Sequence, residues 1–369
     1  MPQSKEGTFM TEASIIAALL AFMQREETTE ADFNQLALQL FAWQFEHNLP
    51  YARFARQRGR TPLTVKQWRQ IPAVPITAFK DLTLSCRPVA EIPHIFMTSG
   101  TTGTGRGRSY HPTLAVYDRS MLINFRQRFM AGHPRLPMAI LFPHSSELPH
   151  SSLAHYLTLA MQECGTPDSE VMVDAQGLKL PRLIAALEQA QASGQPYALL
   201  GASYSFVHLL DELARQQRRF RLPPGSRILD TGGFKGQSRE VAAEAFYSAL
   251  QQTLGVPRSH CINMYGMTEL STQFYDSGNE ICPPVKSGPH WIRTRVVNPL
   301  TGADVPEGET GVLVHHDLAH FNSVSAILTE DAGVMVPGGF QLLGRVAGAD
   351  AKGCSLAMES FLAAAQARA

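Results

Sequence analysis

The chain has 369 residues, room for two or three structural units around sizeable cores, so a miniature disulfide-stapled scaffold is excluded. Lys plus Arg and Asp plus Glu both number 32, and a chain without net charge lacks the global positive field that non-specific nucleic-acid binding needs. With 44% hydrophobic and 17% charged residues, it has enough apolar material to fold and too little charge for intrinsic disorder.

The apolar run Ser14 to Met23 is about half the ~20 residues that a membrane-spanning helix requires. Acidic Glu6 and Glu12 stand before it, where a secretory signal would be cationic. The run therefore reads as an amphipathic helix of a cytoplasmic protein with no membrane partner. The five cysteines (Cys86, Cys164, Cys261, Cys282, Cys354) are widely spaced and never form CxxC, which suggests neither a disulfide framework nor a zinc site.

From Thr11 to about Gln70 the pattern is helical, with Leu36, Leu40 and Trp43 at near-helical spacing. Arg53, Arg56, Arg58 and Arg60 then form a basic patch, read as a solvated helix end or an anion site. The Pro-rich stretch from Ile71 to Pro75 breaks helix. After it, short β-rich runs alternate with helical ones, the mark of a layered α/β core. The expected strands are Ile95 to Thr98, Met138 to Phe142, Glu170 to Val173, Tyr197 to Leu200, Arg227 to Leu229 and Cys261 to Met264. Between them, a helix from Pro181 to Ser193 stops at Gly194, and Phe246, Leu250 and Leu254 share a face before Gly255. From Ser287 onward, short strands and turns replace the βα alternation. The expected division is a helical segment (1–70), an α/β core (71–286), a small β-rich subdomain (287–345) and a short tail (346–369).

The loop Phe96-Met97-Thr98-Ser99-Gly100-Thr101-Thr102-Gly103-Thr104-Gly105-Arg106-Gly107-Arg108 has the chemistry of a phosphate cradle. Glycines let consecutive N–H groups converge on one anion, hydroxyls add donors, and Arg106 and Arg108 bring charge. No Gly-Lys-Ser/Thr follows, so it is not a Walker loop. Downstream, the segment Tyr265-Gly266-Met267-Thr268-Glu269 offers a ring for stacking, a hydroxyl for phosphate and a carboxylate for Mg²⁺.

The order TSGTTGTGRG, then DTGGFKG (Asp230 to Gly236), then YGMTE resembles the adenylate-forming superfamily of acyl- and aryl-CoA ligases and peptide-synthetase adenylation domains. The resemblance implies that fold's large α/β domain, with ATP and Mg²⁺ as cofactors. It puts Thr98, Ser99, Gly100, Thr101, Thr102, Gly103, Thr104 and Arg106 on the phosphates, and Gly232 and Gly233 beside the adenine. Tyr265 is then the base-stacking aromatic, Gly266 joins the ATP site, Thr268 contacts phosphate, and Glu269 holds Mg²⁺. Thr329-Glu330-Asp331 and Gly344-Arg345 look like the family's TGD and GR pairs, which places Asp331 and Arg345 at the ribose. The family's hinge acid corresponds to Ala347. Too few residues follow Lys352 for the family's mobile C-terminal domain, so the resemblance implies a truncated form without it.

YGMTELSTQFYD, TGGFKG and Lys352-Gly353-Cys354 look closest to the acyl-protein synthetase branch associated with fatty-aldehyde production. There a cysteine near the C-terminus receives the acyl group, which makes Cys354 the candidate acceptor, with a reductase or another acyl-accepting protein as partner. The compact form is also similar to adenylating proteins of phenazine-antibiotic (griseoluteic acid type) pathways, which implies an aromatic acid. The expected function is activation of a carboxylic acid to its adenylate, with an aromatic acid as the main expectation. A long-chain fatty acid and a non-catalytic binding protein are the alternatives. The His-rich stretch from His144 to His155 follows the Met138 strand, where the family has an aromatic/His motif. His150 fits it better than His144 as a catalytic or substrate-holding imidazole, and a polar loop and a metal site are the other readings of the same residues. Phe206 and Phe234 read either as walls of the acid pocket or as ordinary core rings. His315 and His316 are expected at the surface.

Overall fold

A computed structural model describes residues 11–99, 105–233, 238–346 and 348–366. The N-terminal part is helical because its sequence supplies caps at each start. Thr11 and Ser14 close a capping box on Glu12–Met23, and Thr29 and Asp32 close one on Glu30–His47. Leu49–Gln57 starts under the Asn48 side chain, with Pro50 in its first turn. Helix stops at Gln57, earlier than the pattern suggests, and Gly59 follows in the left-handed region at φ +64°.

A parallel sheet forms the centre, in the order Cys261–Tyr265, Arg227–Thr231, Ala198–Ala202, Met138–Leu141 and Glu170–Val171, with Phe274–Tyr275 added antiparallel at one edge. Helices on its two faces bury separate apolar clusters. One contains Leu187, Phe206, Leu209 and Phe246, the other Phe125, Tyr156 and Leu157. Leu180–Ser193 and Ala243–Leu254 end at Gly194 and Gly255, both left-handed, as the sequence pattern predicts.

A second, antiparallel sheet runs in the order Val285–Lys286, Gly339–Arg345, Ala326–Val336, Thr310–Asp317 and Ile292–Val297. The Pro-rich stretch is not merely a breaker: Val74–Pro75 pairs parallel with Ile327 and Leu328 of this sheet. Both faces of Thr310–Asp317 are covered, and seven of its eight residues are buried. This overturns the surface placement of His315 and His316, which are wholly or almost wholly buried. A strand covered on both sides loses the polar alternation of a half-exposed one.

The C-terminal stretch forms a helix, Gly348–Gln366, docked on Leu49–Gln57. Phe54 meets Phe361 edge-on at 4.5 Å. Arg56, Arg58 and Arg60 of the basic patch stay exposed, yet two of its arginines also bond to this helix. Arg53 donates to the Ala365 carbonyl (2.9 Å) near the helix end, Arg58 donates to Ser360 (3.1 Å), and the Arg58 guanidinium lies over the Phe54 ring. One core cluster joins Ile15, Phe41, Phe54, Phe79, Trp291, Phe340 and Phe361, so the N-terminal helices, the second sheet and the C-terminal helix bury a common surface. No described helix is long and apolar enough to cross a membrane.

Candidate functional site

The sequence motifs collect where parallel strands end. His144 follows Met138–Leu141, Gly232 follows Arg227–Thr231, and Gly266 follows Cys261–Tyr265. In open α/β sheets this carboxyl edge is where ligands bind. The strand register pairs Thr231 with Met264, and the Thr231 hydroxyl donates to the Met264 carbonyl (2.8 Å), so the glycine turn and the Tyr265 segment are neighbours. Gly232 is left-handed (φ +76°), and a Cβ at Gly232 or Gly233 would meet nothing within 4 Å. Among the described residues, nothing fills the space beside this turn.

The phosphate-type loop springs from a hairpin of His94–Met97 and Arg108–His111. Thr98 closes its base: its N–H donates to the Gly107 carbonyl and its Oγ1 accepts from the Gly107 N–H, both at 3.0 Å. Glu269 reaches the same point from the turn after Cys261–Tyr265. A Cβ on Gly107 would lie 2.9 Å from Glu269 Oε1 and 3.1 Å from Thr98 Cγ2, so any larger residue would displace the Glu269 carboxylate. Ser99 and Arg106 are exposed, Thr268 is half-buried beside Glu269, and Gly100 to Thr104 lie outside the described residues.

Tyr265, Asp331 and Arg345 form a second cluster. Tyr265 donates its hydroxyl to Asp331 Oδ2 (2.7 Å), and Arg345 Nε stands 3.4 Å from Asp331 Oδ1 across a strand pair. Burial, then the adjacent Asp331 carboxylate, pushes the Tyr265 phenol well above its ordinary pKa, so it remains a donor. This contact ties the second sheet to the edge of the first.

His150 is exposed. Its Nδ1 lies 2.9 Å from the Ile95 carbonyl and its own carbonyl accepts from Met97, which anchors the hairpin below the loop. Because a carbonyl only accepts, Nδ1 carries a proton and donates to it. His144 instead caps its own turn through Ser146. Phe206 is wholly buried in the apolar cluster with Leu183 and Leu187. Phe234 lies outside the described residues. Cys354 is 6% exposed, packs on Val312, Val314 and Leu328, and points its thiol at the Thr329 carbonyl (3.8 Å), two residues from Asp331.

Two buried polar networks were not legible in the sequence. Beneath the glycine turn, Ser203 donates to Asp230 (2.7 Å) and lies close to the Thr231 and Gly232 carbonyls, while Asn263 and Tyr247 also donate to Asp230. Behind the Glu269 turn, Asp317 accepts from the Ser271 and Thr272 backbones and the Thr272 hydroxyl, and His320 bridges Ser271 and Ser109. Both clamp motif backbones from below. Their members lie far apart in sequence, at no fixed spacing.

Among the described residues, no group of three or more His, Cys, Asp or Glu is placed to hold a metal ion. A cation here would rest on a single carboxylate, and the buried Glu269 is the one that the two motifs surround.

Comparisons with known proteins agree with this architecture. The long-chain-fatty-acid–luciferin-component ligase of Vibrio harveyi is 22% identical over 335 residues, spanning 88% of this chain and 86% of that protein. The protein of the same description from Aliivibrio fischeri is 22% identical over 305 residues, 79% of each chain. The fold is similar to a crystal structure of 2-hydroxyisobutyryl-CoA ligase in an open conformation with 2-HIB-AMP and CoA. The TM-score is 0.61 at 17% identity, over 90% of this chain and 74% of that one. The postadenylation state of the same ligase matches with TM-score 0.60 at 16% identity, over 90% and 67%. The fold is thus that of adenylate-forming ligases. The family model described as acyl-protein synthetase, LuxE, matches residues 11–363, nearly the whole chain, and the protein belongs to that family.

Proposed function

We propose that this protein activates a long-chain fatty acid with ATP, releasing pyrophosphate, and then carries the acyl group on Cys354 for delivery to a reductase or another acyl-accepting protein. The observation that carries the reading is the convergence of Thr98, Gly107 and Glu269 at one point of the carboxyl edge. Attack of a carboxylate oxygen on the α-phosphorus breaks the bond to the bridging oxygen, and pyrophosphate leaves with the electron pair. Such a reaction asks the protein to place the nucleophile in line and to neutralise charge. Thr98, Ser99, Arg106 and Thr268 contact the phosphates in this reading, Asp331 and Arg345 the ribose, and the space beside Gly232 and Gly233 takes the base. As an imidazolium, His150 donates its Nε2–H to the acid carboxylate.

Glu269 is the residue that would hold Mg²⁺, which is usually bound by one or two carboxylates together with substrate phosphates. Bound there, the ion supplies charge neutralisation. In the second step the Cys354 thiolate attacks the acyl carbonyl, the bond to AMP oxygen breaks, and the thiol proton passes to solvent. The thiol's burial requires the Gly348–Gln366 helix to leave its seat first.

The names of the relatives favour a fatty acid over the aromatic, phenazine-type acid of the main expectation from sequence. The test is carboxylate-dependent exchange of labelled pyrophosphate into ATP, with long-chain fatty, benzoic-type and polycyclic aromatic acids side by side. Exchange with fatty acids, together with a hydroxylamine-labile acyl label on the protein, is the expected result. Exchange only with aromatic acids overturns the substrate, and none with any acid overturns the activity.

A further inference from the structure

His315, expected at the surface and found buried, sits directly behind Tyr265. It stands at the centre of a ring cluster, with centroids 4.7 Å from Phe274, 5.6 Å from Phe340 and 5.7 Å from Tyr265. Its Nδ1 lies 2.9 Å from the hydroxyl of Thr294, its cross-strand partner, and its Nε2 lies 3.4 Å from the Tyr265 hydroxyl. Burial holds the imidazole neutral, with its pKa pushed down to about 3, so it has one donor and one acceptor nitrogen.

The donor inventory fixes which is which. Tyr265 has a single hydroxyl proton, and at 2.7 Å the acceptor-only Asp331 carboxylate takes it. The Tyr265 oxygen therefore faces His315 with a lone pair, and Nε2 must carry the imidazole proton. Nδ1 then accepts from Thr294. All donors in the chain Thr294, His315, Tyr265, Asp331 point the same way and end on the carboxylate. An ionised carboxylate offers about four acceptor sites. Tyr265 takes one on Oδ2 and Arg345 stands at Oδ1, which leaves two, the number that a vicinal diol fills.

We propose that His315 is a positioning residue for nucleotide selection: acting through Tyr265, it orients the Asp331 carboxylate to accept both hydroxyls of a ribose and so sets the preference for ribonucleotides over deoxyribonucleotides. The proposal rests on the reading of Asp331 as the ribose ligand. Without the Nε2 donor, the Tyr265 hydroxyl still bonds to Asp331, but nothing from behind sets the orientation in which it does so.

The experiment measures kcat and KM for ATP, 2′-deoxyATP and 3′-deoxyATP in the pyrophosphate-exchange assay, with the fatty acid saturating. Wild type should prefer ATP, and Asp331→Asn should abolish the preference. His315→Leu should raise the KM for ATP by on the order of five- to tenfold, the worth of about one hydrogen bond, with kcat within about twofold and the deoxynucleotide KM unchanged. His315→Gln, whose amide N–H replaces the Nε2 donor, should restore the preference. A general structural defect would instead raise all three KM values together. If His315→Leu fails to fold, Thr294→Val, which releases only the far end of the chain, should lower the preference, and an unchanged ratio there overturns the proposal. A wild type that does not discriminate overturns the ribose reading itself. Discrimination that is lost in Asp331→Asn but intact in His315→Leu overturns only the role of His315.

Discussion

Gly107 and Glu269 come from segments far apart in the chain, yet a Cβ on Gly107 would stand 2.9 Å from the Glu269 carboxylate. The loop base and the acidic turn are thus packed to a tolerance of one methyl group. Gly107→Ala should push the carboxylate aside and lower exchange activity by at least about tenfold, while the melting temperature moves by only a few degrees. Retained activity with a folded protein would separate Glu269 from the chemistry.

Cys354 shares its burial with Cys86, Cys164 and Cys261, whereas Cys282 is partly exposed. Mass spectrometry after brief alkylation should find Cys282 modified first. Fatty acid plus ATP should accelerate modification of Cys354 if the helix undocks for acyl transfer. Cys354→Ala should lose the hydroxylamine-labile label, and a variant that still carries it would exclude this thiol as acceptor.

Buried titratable groups set the pH response. Burial holds His315 and His320 at about 3 and pushes His111 and His316 well below the usual imidazole range. Their folded values lie below the unfolded ones, so their stabilisation is complete above about pH 6.5 and is lost as pH falls. Asp317 works the other way. Burial raises it to about 6, so its ionisation costs stability as pH rises from about 4 to 6. Burial raises Asp230 as well, and four imidazoles outweigh the two carboxylates. Urea unfolding at a series of pH values should show stability falling on acidification below pH 6, with net uptake of more than one proton.

Lys286 and Asp276 form an ion pair at 2.8 Å, with side chains 3% and 1% exposed, and Lys286 also donates to the Asn263 carbonyl. Lys286→Met leaves the carboxylate uncompensated and should cost about 3–5 kcal/mol in urea unfolding. Loss of the ammonium also removes one donor from the Asn263 carbonyl, one residue before Met264 in the strand that leads to Tyr265. Exchange activity should therefore fall before global unfolding does.

Local chemistry made much of the fold legible. The strand expected at Met138 to Phe142 is Met138–Leu141, and that expected at Cys261 to Met264 is Cys261–Tyr265. Buried parallel strands are continuous apolar runs, and Gly194 and Gly255 mark helix ends through their left-handed backbone, so both signals lie within a few residues of chain. The glycine-rich loop and the Tyr265 segment were equally local, and their order pointed to the adenylate-forming family.

What the chain could not declare was what each segment packs against. Arg53 reads as solvated until the Gly348–Gln366 helix is docked on it, and His315 reads as polar surface until both faces of its strand are covered. Burial depends on long-range neighbours, and a sequence carries no fixed spacing for those. The motifs and their order in the sequence were enough to point to the family. Only the tertiary structure decided that Glu269 meets Gly107, that His315 stands behind Tyr265 and that Cys354 is covered, because each depends on surfaces meeting across the two sheets and the terminal helix.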